Sequence, residues 1–224
     1  TQVITTSTTL ATQEANSSTP EQTNDSEESL KTYFSSLAAV GSPDAMRDGF
    51  SSAAPNSPAQ AYLKYRADVL EADLDGGISY DNGNYALVRK GTYEVCVVPQ
   101  DQDTCSIFDG IKVDALGKVS EFAINGKPLR GRVSLQGETT VTSHGVEITY
   151  LSAFETVKSS ELGVVVRLKS GPKPITVHAY EAAYRNANGK QRVASEAFGA
   201  TELQAHSNAL VSIFFPGGKL GGKF

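Results

Sequence analysis

The sequence predicts an α+β region followed by an all-β sandwich. Two patterns carry this reading. Apolar residues recur at helical spacing between residues 30 and 74, behind Ser and Ser-Pro caps. From residue 85 onward they alternate with polar residues, and Gly, Asn and Pro turns separate the runs.

The first 29 residues stand apart. Thirteen are Ser or Thr, none is aromatic, and Glu14, Glu21, Asp25, Glu27 and Glu28 face no Lys or Arg. Such a segment buries too little apolar surface to offset its ordering entropy, so it reads as a disordered, acidic stalk. The chain starts at Thr1 without a signal peptide, which suits a mature or trimmed form with an anchor upstream.

Residues 30–128 form the α+β domain. Ser29 is placed to cap a first helix carrying Leu30, Tyr33, Phe34, Leu37 and Ala38 on one stripe. Ser42-Pro43-Asp44 opens a second, with Pro at the first helical position and an acid in the first turn. Ser57-Pro58 opens a third, which buries Tyr62, Tyr65, Val69 and Leu70 and stops at Gly76-Gly77. A meander follows, with strands at residues 85–88, 93–97, 107–113 and 119–124 and closing turn chemistry at Asn125-Gly126-Lys127-Pro128.

Residues 131–224 read as six or seven strands. Val146, Ile148 and Tyr150 mark one, Val164, Val166 and Leu168 another, Ile175, Val177 and Ala179 a third, and residues 209–215 the last. Asn188-Gly189 is a hairpin turn. That density of short strands suits an immunoglobulin-like sandwich, without the Cys-Trp-Cys signature of true immunoglobulin domains.

Cys96 and Cys105 flank a polar loop between apolar runs, the pattern of a disulfide across a hairpin. A disulfide implies an oxidising compartment.

The segment from residue 141 to 224 resembles a family of extracellular immunoglobulin-like domains of unknown function on bacterial lipoproteins. The resemblance rests on Ser143-His144-Gly145-Val146-Glu147-Ile148, on Asn186-Ala187-Asn188-Gly189 and on Val211-Ser212-Ile213-Phe214-Phe215-Pro216-Gly217-Gly218-Lys219. Thr92-Tyr93-Glu94-Val95-Cys96, with Cys105 and the stretch from Gly117 to Pro128, is similar to segments of secreted proteins of actinobacterial type. These resemblances imply an extracellular, envelope-attached location and supply no catalytic residue.

The sequence offers little chemistry. His144, His178 and His206 lie far apart and outside any metal-ligand spacing. No P-loop, G-x-S-x-G elbow or dinucleotide fingerprint occurs. Asp73, Asp75 and Asp81, beside Asn82 and Asn84, are weak calcium candidates, because clustered oxygens suit that ion but the EF-hand spacing fails. The net charge is −5 and no basic stripe exists, which argues against nucleic-acid binding. No cofactor is expected, and membrane contact only through an upstream anchor. The expected function is therefore a non-enzymatic surface protein that binds an extracellular protein or glycan. The alternative is a small-ligand carrier with its cavity between the N-terminal helices and the meander.

Overall fold

The computed structural model describes residues 21–98 and 101–223. Residues 1–20 of the expected stalk lie outside that range. The fold is an α+β N-terminal region followed by a β-sandwich.

The first helix, α1 (Glu21–Leu37), begins eight residues before Ser29. The stalk reading of residues 21–29 is thus corrected. Once the half carrying Tyr33, Phe34 and Leu37 is docked, extending the helix costs little. The other two starts lie where their caps place them. In α2 (Pro43–Asp48) the Ser42 side chain accepts from the Ala45 amide, and in α3 (Pro58–Asp75) Ser57 accepts from Gln60, both at 3.2 Å.

Five strands form the N-terminal sheet in chain order: β1 (Asn84–Arg89), β2 (Thr92–Cys96), β3 (Cys105–Val113), β4 (Val119–Ile124) and β5 (Lys127–Pro128). The helices cover one face of it. Phe34 stacks on Tyr93 with ring centroids 4.2 Å apart, and Phe108 meets Phe122 edge-on at 5.4 Å. Tyr33, Phe34, Met46 and Leu63 are completely buried, so this interior is filled.

The C-terminal region is built on a second five-stranded antiparallel sheet. Its members are β6 (Thr139–Ser143), β7 (Val146–Glu155), β8 (Glu161–Lys169), β12 (Glu196–Gly199) and β14 (Asn208–Pro216), in the order β12-β14-β8-β7-β6. The opposing layer is made of short pieces. These are β9 (Ile175–Thr176) paired with β13 (Glu202–Leu203), and β10 (Ala183–Arg185) paired with β11 (Gln191–Val193). The strand expected through Val177 and Ala179 stops after Thr176, and a single 3-10 turn spans Ala179–Glu181. Period-2 apolar spacing over so few residues does not exclude an irregular covering segment.

Helix α3 lies between the two sheets and packs on both within one core cluster. The Tyr62 ring meets Phe122 of the first sheet at 5.7 Å and Phe154 of the second at 5.0 Å. Polar contacts fix the same seam. Ser152 donates to Asp68 at 2.7 Å, Lys64 donates to the Leu151 carbonyl at 3.2 Å, and the Leu210 amide donates to Asp75 at 2.7 Å.

The second sheet consequently carries apolar residues on both faces. In β14, Leu210 packs towards α3 while Ala209, Val211, Ile213 and Phe215 form the other face. In β8, Val165 faces α3, and Leu162, Val164, Val166 and Leu168 face away. This explains the nearly unbroken apolar run from Leu162 to Val166. A β-bulge between Tyr150 and Ser152 resets the phase of β7. Ile148 and Tyr150 before it and Ala153 after it thereby share one face.

Candidate binding cleft

The face of the second sheet that points away from α3 is only partly covered. Between it and the short opposing pieces lies a half-open cleft of about 1150 Å³. Its floor is apolar: Ile148 and Ala153 from β7, the four outward residues of β8, and Val211 and Ile213 from β14. Val177, Ala179 and Ala182 form the roof with Tyr184. Val133, Leu135 and Val141 form a lip, where Leu135 is 60% exposed and Val141 57%.

The two tyrosines of the cleft are hydrogen-bonded. Tyr184 donates to the Lys219 carbonyl at 2.6 Å and accepts from the Gly222 amide at 2.7 Å, which ties the C-terminal segment to the roof. Tyr150 bonds Ser134. Burial raises both phenols above the ordinary tyrosine range, so they stay protonated and neutral near pH 7. Among the described residues no Asp or Glu lines the cleft, whereas His178 and Lys223 do. Beside it, a smaller hollow of about 320 Å³ shares Tyr184 and Lys223 and adds Arg185.

The sequence-predicted residues lie elsewhere. Cys96 and Cys105 face each other across β2 and β3 and are joined in a disulfide. Lys158, from the β7–β8 connection, donates to the Asp103 and Cys105 carbonyls at 2.7 and 2.8 Å and ties that hairpin to the second sheet.

The calcium candidates are not gathered into one group among the described residues. Asp73 is buried and accepts from the Tyr80 hydroxyl at 3.1 Å, and burial raises its pKa. Asp75 is committed to the Leu210 amide, and Asp81 is exposed. Their oxygens do not converge on one point. Among the described residues, the one group with candidate ligand atoms within 4.8 Å of one another is Glu94, Cys96 and Cys105. Its two sulfurs are bonded to each other and so are not free thiolates.

The expected carrier cavity is also corrected. Interlocked aromatic rings fill the helix–meander interior, and the large cavity sits on the far face of the other sheet. Of the histidines, His178 lies on the cleft wall, which sequence reasoning missed. The available signal was the apolar run of β8, which has more buried face than one packing partner needs.

No family model matches the chain, and no curated protein matches it. Among solved structures, a secreted protein of Mycobacterium tuberculosis, MPT63, aligns at 13% identity over 36% of this chain and 75% of that one, with a TM-score of 0.28. A likeness of that size assigns no function. Among the described residues, no helix is long and apolar enough to cross a membrane.

Proposed function

We propose that this chain is an exported, envelope-attached, non-enzymatic binding protein that holds a largely apolar ligand in the C-terminal cleft. The observation that carries the reading is the cleft itself. A volume of about 1150 Å³ lies just above the usual range of small-molecule sites, roughly 300–1,000 Å³, and its floor is built from aliphatic side chains of three adjacent strands. Export is supported by the Cys96–Cys105 disulfide, since such bonds persist in oxidising compartments. The non-enzymatic reading is supported by the scatter of the histidines and by a cleft whose tyrosines are held neutral. A glycan is a poor fit for this floor, because its hydroxyls would face Val, Leu and Ile and lose their hydrogen bonds to water.

The test uses the neutral apolar fluorophore N-phenyl-1-naphthylamine, whose emission rises on leaving water. The full chain binds it saturably at one site, and Ala182→Trp, which fills the roof, abolishes the signal at unchanged melting temperature. Emission that never saturates, or that survives Ala182→Trp, contradicts the reading.

A further inference from the structure

The cleft is polarised. At one end the roof residue Tyr184 packs on Phe215, with ring centroids 5.5 Å apart, and Phe215 pairs with Leu162 of the floor. Arg185 and Lys223 lie at this end. Their backbones bond each other reciprocally, Arg185 amide to Lys223 carbonyl at 2.7 Å and Lys223 amide to Arg185 carbonyl at 2.8 Å. Both side chains are exposed, and neither has a carboxylate partner among the described residues. The nearby Glu155 is already occupied by Lys219 at 2.8 Å and by the Leu220 amide at 2.9 Å. At the opposite end, Val141 pairs with Ile148 and Ile148 with Leu168, so the floor there ends in aliphatic side chains.

From Leu162 to Leu168 the floor runs about 20 Å, at roughly 3.3 Å per residue. It is an aliphatic track with Lys223 lining one end and Arg185 lining the hollow that adjoins that end, and among the described residues none of its lining is acidic. We propose that the ligand is a free long-chain aliphatic monocarboxylic acid. Its hydrocarbon chain lies along β8 between β7 and β14, and its carboxylate sits at Arg185 and Lys223. This rests on the cleft being a binding site. A neutral chain would leave both cations unused, and a cationic amphiphile would be repelled from that end.

The test is displacement of bound N-phenyl-1-naphthylamine by three probes of equal chain length: sodium laurate, dodecan-1-ol and dodecyltrimethylammonium. Laurate displaces the fluorophore at about tenfold lower concentration than dodecan-1-ol, a difference of ~1.4 kcal/mol. The cationic probe is the weakest. In Arg185→Gln/Lys223→Gln the laurate advantage disappears while displacement by dodecan-1-ol is unchanged. Added salt erodes the same advantage in the unmodified chain, which checks the claim without any substitution. If dodecan-1-ol equals laurate, or the advantage survives in the double variant, the acid assignment is overturned and the cleft reading stands. If the fluorophore binds nowhere saturably, both fall together.

Discussion

Gly163 shows how a single position couples the two halves of the molecule. It sits in β8 on the face that packs against α3, and the Tyr65 hydroxyl occupies the space where a Cβ would project. Tyr65 is buried, and that burial pushes its phenol above the ordinary tyrosine range. It therefore acts as a neutral spacer between helix and sheet. Gly163→Ala forces the ring away and is expected to destabilise the fold by about 1–3 kcal/mol, the usual cost of overpacking. In a Tyr65→Phe background the clash loses its hydroxyl, so the penalty shrinks by about half or more. A double-mutant cycle in denaturant measures the coupling. Equal penalties in the two backgrounds would contradict this packing. Asp68 acts at the same seam. Its side chain, 5% exposed, is paired with Lys64 at 2.8 Å and bonded by Ser152, so the charge is satisfied from both sides of the interface.

At the scale of elements, the cysteine hairpin was legible in the sequence, and so were the Ser-Pro helix starts. Each is a local signal whose physics is complete within a few residues. The disulfide is expected to contribute about 2–3 kcal/mol by restricting a short loop of the unfolded chain. Denaturant midpoints with and without reductant measure it, and no shift would mean that the hairpin holds without the bond. Other elements were less legible because their reasons are tertiary. The first half of α1 carries few apolar residues, and it is helical because the docked second half nucleates it. The run around residues 175–180 alternates like a strand, yet its pairing ends where the Val177 amide donates to the Thr201 carbonyl, and a 3-10 turn follows as it crosses the roof of the cleft. The β7 bulge leaves no turn signature, but without it Ala153 would point at α3 instead of into the cleft.

At the scale of the whole molecule, α3 is shared. One cluster of buried side chains joins Phe108 and Phe122 of the meander, Tyr62 and Tyr65 of α3, and Phe154, Val165 and Leu210 of the second sheet. Sequence reading assigned residues 30–128 and 131–224 to separate units, because the turn chemistry between them is local and the shared core is not. The same sharing explains why the cleft was sought in the wrong place. Helices above a meander suggest a cavity beneath them, but the aromatic rings of α1 and α3 fill that space. The second sheet spends one face on α3 and has only short strands and a 3-10 turn to cover the other. Neither fact is visible without long-range pairing. The resulting cleft, apolar along its floor and cationic at one end, is the feature on which the functional account rests.

The most direct test of that account is methyl NMR of the full chain, labelled at Val, Leu and Ile and titrated with N-phenyl-1-naphthylamine. Neighbouring residues on the same strands point to opposite faces, so the protein carries its own control. The account predicts that the methyls of Val164, Val166, Val211 and Ile213 shift together and saturate, while Val165 and Leu210, against α3, stay in place. Shifts at Val165, Leu210 or Leu63 with a silent cleft would contradict it, as would a spectrum unchanged throughout.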